Sequence, residues 1–143
     1  MKRYIPAVLL LSAYFILSCS SAMNIIEADA WLASKADAAS PTVDITGKWQ
    51  DAEYDYSTSW NALGWGVGEL VQKGANVSGI IGNYEFKGMV SGKKIYFVAL
   101  YGGKVYYTAN FEMNDNKELV GNYYDAKDKE QKAPYPMRLK RTK

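Results

Sequence analysis

From residue 43 onward, apolar and polar residues alternate along the chain, and short turn signals interrupt the alternation. The turn signals contain glycine or asparagine, and they stand at 73–76, 82–83, 91–93, 101–104 and 114–117. β-Branched and aromatic residues at a period of two between such turns are typical of half-buried strands. The pattern predicts eight strands, near residues 45–51, 66–73, 76–81, 84–90, 94–101, 104–113, 117–125 and 134–141.

One face of the predicted sheet is apolar from strand to strand. In the last four strands this face carries Ile95, Phe97, Ala99, Tyr101, Val105, Tyr107, Ala109, Phe111, Met113, Leu119, Gly121, Tyr123, Tyr135, Met137 and Leu139. The opposite face is mixed, since it carries Asn110 and Glu112 but also Tyr96, Val98 and Leu100. A sheet that closes on itself buries one face and leaves no exposed edge. We therefore predict an all-β domain over residues 44–143, an eight-stranded antiparallel up-and-down barrel.

The chain before this domain has two parts. Residues 1–18 combine a basic start with an apolar run, which is typical of a secretory signal peptide and is too short to span a bilayer comfortably. Residues 19–43 are rich in alanine and serine, and Ile25, Ala28 and Leu32 fall at helical spacing. Because a short isolated helix is marginal in water, we interpret 19–43 as a flexible tether. The alternative is that Trp31 and Leu32 dock on the domain or on a partner.

Cys19 is the only cysteine of the chain, and it stands at the end of the predicted signal peptide. Ile16-Leu17-Ser18-Cys19 resembles the lipobox of bacterial lipoproteins. The resemblance implies that the chain is cut before Cys19, that the thiol receives a diacylglycerol and that the new amino group is acylated. It also implies a lipid anchor in the cell envelope, and Ser20 after the cysteine is similar to the outer-membrane members of that class. The alternative is an ordinary secretory signal in which Cys19 is a small apolar residue.

The segment Ile45-Thr46-Gly47-Lys48-Trp49-Gln50 resembles the first strand of the calycin superfamily, which includes the lipocalins, through its Gly-x-Trp. The resemblance implies that Trp49 closes one end of the barrel and that an arginine of the last strand lies across its ring. Arg141 has the required parity, and Arg138 is the other candidate. We therefore expect Gly47, Trp49 and Arg141 to have a structural role.

The sequence contains few candidate residues for enzymatic catalysis. The chain has no histidine, its single cysteine lacks the usual base partner, and no spacing places an acidic pair across a cleft. Asp51 and Glu53 are interpreted as exposed carboxylates near a strand end. We expect a non-enzymatic protein without a cofactor or a metal. Without Lys2 and Arg3 the mature chain carries 15 basic and 15 acidic residues, so we expect no nucleic-acid partner, and we expect a monomer.

Two functions from different classes fit these observations. In the first, the barrel binds a small apolar ligand, either in a lumen lined by Phe97, Tyr107 and Tyr123 or under the loop 56–68, which carries Trp60 and Trp65. In the second, the protein interacts with or inhibits another protein through its loops, and it then resembles small bacterial inhibitors of proteases and lysozymes. An open lumen favours the first function, and a filled lumen with exposed tryptophans favours the second.

Overall fold

The computed structural model describes residues 21–36, 39–53 and 65–143. It contains the helix α1 (Ile25–Ser34) and the strands β1 (Gly47–Asp51), β2 (Val67–Lys73), β3 (Asn76–Ile81), β4 (Tyr84–Ser91), β5 (Lys94–Tyr101), β6 (Lys104–Met113), β7 (Leu119–Asp125) and β8 (Tyr135–Arg141). Each strand pairs antiparallel with the next, and β8 pairs with β1, so the sheet is a closed barrel. The predicted fold class is confirmed, and every predicted strand end agrees to within about two residues. The predicted signal peptide and Cys19 lie outside the described residues.

The barrel has two different ends. The closed end holds the start of β1, the end of β8 and the tight turns β2–β3, β4–β5 and β6–β7. The open end holds the connection from β1 to β2, the turns β3–β4 and β5–β6, and the longer loop between β7 and β8. The connection from β1 to β2 includes residues 54–64, which lie outside the described residues.

The interior of the barrel is one apolar cluster, to which all eight strands contribute. The predicted inward face is confirmed for most positions, among them Ile95, Phe97, Ala99, Ala109, Phe111, Leu119, Met137 and Leu139. Close strand approach is required at Gly121, where a Cβ would lie 1.9 Å from the carbonyl oxygen of Asn110.

The prediction was wrong for Val105, which lies on the outside of the barrel. The register of β5 against β6 shifts between Ala99 and Leu100, because Ala99 pairs with Tyr107 whereas Leu100 pairs with Val105. Tyr106 is therefore an extra residue in β6, a β-bulge that reverses which side chains face inward. Tyr101, also assigned to the inner face, is 53% exposed because it is the last residue of β5.

Helix α1 packs on the outside of β5 and β6. Its buried residues Ala28 and Leu32 join a second apolar cluster with Met23, Val98, Leu100, Val105 and Ala126. Trp31 adds an edge contact to Tyr96, with the ring centroids 6.1 Å apart. The flexible-tether interpretation is therefore wrong for residues 25–34, and the alternative of docking through Trp31 and Leu32 is confirmed. The apolar outer face of β5 supplies the packing partner that an isolated short helix lacks.

The N-terminus of α1 is fixed by a capping box. The side chain of Asn24 accepts a hydrogen bond from the backbone N–H of Glu27, and the carboxylate of Glu27 accepts one from the backbone N–H of Asn24, both at 3.0 Å. The backbone N–H of Met23 donates to the carbonyl oxygen of Ala126 at 2.8 Å. Ala126 follows β7, so the helix begins at the open end of the barrel. Further on, the N–H of Thr42 donates to the carbonyl oxygen of Gly92 in the β4–β5 turn, at 2.9 Å, which brings the chain to the closed end before β1.

Candidate functional site

The closed end is sealed by Trp49 and Arg141, which are direct partners in the β1–β8 register. The guanidinium of Arg141 lies 4.5 Å from the ring centroid of the fully buried Trp49. It also donates to the carbonyl oxygens of Thr46 at 2.7 Å and Asp44 at 2.8 Å. Gly47 has φ +138°, and a Cβ there would lie 2.7 Å from Nη1 of Arg141. The contact implied by the calycin resemblance is present.

Arg138, the other candidate for that contact, points elsewhere. Its guanidinium pairs with Glu53 at 3.3 Å and with Glu118 at 3.4 Å on the exposed surface.

The lumen is filled by aromatic rings from its middle toward the open end. Phe97 contacts Phe86 and Phe111, with ring centroids 5.5 and 5.9 Å apart. Trp65 lies against the same two rings, at 4.8 Å from Phe86 and 5.8 Å from Phe111. The predicted ligand contact Phe97 is fully buried in this packing. Within the described residues, the lumen below Trp65 is therefore core rather than a pocket.

Trp65 lies inside the barrel and not on its rim. Its side chain is 4% exposed, and its backbone N–H donates to Oδ2 of Asp51 at 3.3 Å. Trp65 therefore packs on its own barrel. Its buried indole N–H has no hydrogen-bond partner among the residues that the structure describes, which costs about 1–3 kcal/mol for a buried donor. Trp60, the other predicted tryptophan, lies outside the described residues.

Six tyrosines form a connected set of ring contacts above Trp65 at the open end. We call them the tyrosine rim, and they are Tyr84, Tyr101, Tyr106, Tyr107, Tyr123 and Tyr135. Tyr123 joins the rim to Trp65 at 5.4 Å and stacks on Tyr135 at 5.1 Å with an interplanar angle of 22°. Tyr107 lies between Tyr123 at 5.1 Å and Tyr84 at 5.5 Å. The rim thus runs across five strands, from β4 to β8.

The topology explains why these tyrosines meet. Tyr84 and Tyr135 are the first residues of β4 and β8, and Tyr101 is the last residue of β5, so all three lie at strand ends of the open end. The bulge in β6 brings the consecutive residues Tyr106 and Tyr107 into the same set, with their rings 6.3 Å apart. The rim therefore depends on strand register as well as on sequence position.

Burial and crowding of the hydroxyls raise two tyrosine pKa values. Burial is the main cause that raises the pKa of Tyr84 to about 12, and the hydroxyl of Tyr107 adds to it by accepting a hydrogen bond from the neutral form. Burial also raises the pKa of Tyr123, with further contributions from Tyr135 and the Asp51 carboxylate. Both hydroxyls therefore keep their protons to a higher pH than an ordinary tyrosine does.

Asp51 is buried, which corrects the prediction that it is an exposed carboxylate. Its side chain is 3% exposed. Its Oδ1 accepts a hydrogen bond from the N–H of Glu53 at 3.0 Å, and its Oδ2 accepts one from the N–H of Trp65. Asp51 therefore binds the backbone on both sides of residues 54–64.

The structure brings together three of the predicted ligand contacts, namely Trp65, Tyr107 and Tyr123, and it places Phe97 deeper. The sequence reasoning did not assign Tyr84, Tyr106 or Asp51 to the site. Tyr84 carried a usable signal, since it directly follows a turn at the same end of the barrel as Trp65. Tyr106 and Asp51 carried none, because their positions depend on the bulge and on the Trp65 backbone.

Neither metal binding nor a membrane-spanning helix is found in the part of the chain that the structure describes. No group of three or more His, Cys, Asp or Glu side chains there is arranged to hold a metal ion. None of the helices there is long and apolar enough to cross a bilayer. Comparison with known proteins gives no match, whether with protein-family models, curated proteins or solved structures.

Proposed function

We propose that this chain is a non-enzymatic lipoprotein of the cell envelope, anchored through Cys19 in the outer membrane, that binds an apolar or amphipathic ligand at the open end of its barrel. The lipocalin-like barrel is compatible with such a role. The binding surface is the tyrosine rim above Trp65, because aromatic packing occupies the lumen below it.

The exposed part of the rim is the observation that carries this proposal. Tyr101, Tyr106 and Tyr135 are 53%, 41% and 51% exposed, yet each contacts another ring of the set. Contiguous exposed aromatic surface on a folded protein is typical of interaction sites. Tyrosine combines a large apolar ring with a hydroxyl that forms hydrogen bonds. The rim therefore suits a ligand that offers both apolar surface and hydrogen-bonding groups.

Trp65 forms the floor of this proposed site. Its indole N–H finds no acceptor within residues 21–36, 39–53 and 65–143, so the packing seen there is energetically incomplete. A ligand that shifts the ring and offers an acceptor would recover that hydrogen bond. The buried Asp51 carboxylate nearby disfavours an anionic group at the same depth, so the acceptor that enters is a neutral oxygen such as a carbonyl or hydroxyl.

The anchor is tested by growing the producing cells with a clickable fatty acid. We expect incorporation into the full-length protein and none into Cys19→Ala, because the acylated residue is then missing. Incorporation that persists in Cys19→Ala, or that is absent from the parent protein, would show that the anchor is wrong.

The ligand site is tested by native mass spectrometry of the protein extracted from its own membranes. We expect a bound small molecule in the parent protein and its loss in the double variant Tyr101→Ser, Tyr135→Ser. The matched control is Val71→Ser, Val120→Ser, which removes exposed apolar surface, 39% and 43% exposed, nearer the closed end. Equal retention in both double variants would contradict the rim as the site.

A second function, an interaction or inhibitor protein that acts through its loops, is favoured by the filled lumen. It uses the same exposed tyrosines as contacts for a protein surface, since tyrosine is frequent among interface anchors. The native mass spectra distinguish the two functions. The interaction protein predicts no small molecule in any preparation and a stoichiometric protein partner that the rim variant loses.

A further inference from the structure

We propose that the open end of the barrel faces the membrane and that the tyrosine rim lies in the lipid headgroup region. This inference rests on the proposed Cys19 anchor. The occupant of the rim is then the bilayer interface itself.

The distance along the chain from the anchor to the barrel is the first argument. Met23 is fixed at the open end, because its N–H donates to the carbonyl oxygen of Ala126 at 2.8 Å and its side chain is 7% exposed. Only four peptide units join Cys19 to Met23. Since an extended chain spans at most about 3.6 Å per residue, the lipidated residue lies within about 14 Å of the open end.

The link from this anchor point to the rim is equally short. The N–H of Ala126 donates to the carbonyl oxygen of Tyr106 at 2.9 Å. Two backbone hydrogen bonds therefore connect Met23, through Ala126, to a member of the tyrosine rim. Anchoring at Cys19 therefore keeps the rim close to the bilayer surface.

The docked helix α1 keeps the segment between the anchor at Cys19 and the barrel short. Ala28 is fully buried and Leu32 is 7% exposed in the cluster on β5 and β6. Were residues 23–43 free, the barrel could turn either end to the membrane. With α1 docked, the anchor point is displaced from the closed end by the height of the barrel. An eight-residue strand such as β5 corresponds to about 20 Å along the barrel axis, after allowing for strand tilt.

The distribution of exposed apolar side chains is the second, independent argument. Among the described residues the four most exposed large hydrophobic side chains are Ile26 at 77%, Ile80 at 59%, Tyr101 at 53% and Tyr135 at 51%. Ile26 is in the first turn of α1, Ile80 is next to the last residue of β3, and the two tyrosines belong to the rim. All four thus lie toward the open end. Aromatic rings with polar tips are enriched at the membrane–water interface.

Charge at this end neither opposes nor dominates the contact. The end of β7 and the loop after it carry Lys127, Lys129 and Lys132 together with Asp125, Asp128 and Glu130, so the formal charge of residues 125–132 is balanced. We therefore expect the rim to meet the interface through rings and hydroxyls, with little dependence on salt or on anionic lipid.

The orientation is tested with full-length protein reconstituted into phosphatidylethanolamine–phosphatidylglycerol vesicles that contain a headgroup nitroxide lipid. A maleimide fluorophore is attached either at Lys104→Cys, the first residue of β6 beside the β5–β6 turn, or at Lys93→Cys in the β4–β5 turn. Both lysines are exposed and follow a glycine in a strand turn, so the pair differs in the end of the barrel that carries the label. We expect quenching at position 104 to be at least about threefold stronger than at position 93.

Equal quenching at the two positions, or stronger quenching at position 93, would overturn the orientation while leaving the anchor intact. The unsubstituted protein separates this failure from failure of the anchor. If it takes up the fluorophore at Cys19 and does not float with the vesicles, then Cys19 is not acylated, and both the anchor and the orientation are wrong.

Discussion

The backbone N–H of Met23 donates a 2.8 Å hydrogen bond to the carbonyl oxygen of Ala126, and this bond ties the segment after Cys19 to the open end of the barrel. The same end carries the tyrosine rim, because Ala126 in turn donates to the carbonyl oxygen of Tyr106. The N-terminal segment and the proposed binding surface therefore lie at the same end of the barrel.

Docking of α1 depends on a few buried side chains. We expect Leu32→Ala to destabilise the docked helix by about 2 kcal/mol, because Leu32 is 7% exposed in the outer cluster. Hydrogen exchange of the α1 amides measures the effect. The control Ile26→Ala removes a side chain that is 77% exposed and should change stability by less than about 0.5 kcal/mol. Equal exchange rates in the two variants would contradict the docking.

The closed end depends on Trp49. Trp49→Ala should lower the free energy of unfolding by about 3–5 kcal/mol, because the ring is fully buried under Arg141. Urea unfolding measures this change, and a loss below about 1 kcal/mol would be inconsistent with the ring as core.

Arg141, which covers the ring of Trp49, can be compared with Arg138 of the same strand. Arg141→Gln should destabilise by about 2 kcal/mol, because it removes the ring contact and two charged hydrogen bonds to backbone carbonyls. Arg138→Gln removes only exposed ion pairs and should have the smaller effect. A larger effect of Arg138→Gln would contradict the role given to Arg141.

Trp65 should tolerate loss of its N–H better than loss of its ring. We expect Trp65→Phe to cost about 1 kcal/mol or less, because the substitution removes a buried donor that has no partner in the described part of the chain. Trp65→Ala should cost about 3–5 kcal/mol, since the ring packs on Phe86 and Phe111. Both are read from urea unfolding. A cost of Trp65→Phe that approaches that of Trp65→Ala would mean that the indole N–H has a bound acceptor.

Ionisation of Tyr84 should make stability fall at high pH. Its folded-state pKa is raised to about 12 from an ordinary value of 10.0. The unfolded chain therefore loses this proton first as the pH rises from about 10 to about 12, and stability present below pH 10 is lost across that window. Absorbance at 295 nm should show a tyrosine step near pH 12 that Tyr84→Phe removes and that urea shifts toward 10. A step near pH 12 that survives Tyr84→Phe belongs to another residue and would contradict the assignment.

The strand pattern could be predicted because its signals are local. Turn residues such as Gly92 and Lys93, and the two-residue period between turns, specify strands without knowledge of their partners. The predicted contact of Trp49 with Arg141 came from the resemblance to the calycin superfamily, and it agrees with closing the meander, which brings the last strand beside the first.

The remaining features depend on contacts between distant segments. Tyr106 becomes an extra residue only in the register of β5 against β6. Asp51 is buried because the backbone of Trp65 returns to it. The apolar outer positions Val98 and Leu100 did signal that something covers them. Taken as an isolated segment, however, residues 25–34 are too short for a stable helix in water. The sequence alone therefore does not connect them with Val98 and Leu100.

The most direct test of the open end as the binding surface is photo-crosslinking in the cells that produce the protein. A photoreactive amino acid replaces Tyr135 at the open end, or Val120 nearer the closed end, positions that are 51% and 43% exposed. Mass spectrometry then identifies the adducts. We expect a defined adduct from position 135 and none from position 120. An equal or stronger adduct from position 120 would contradict the open end as the binding surface.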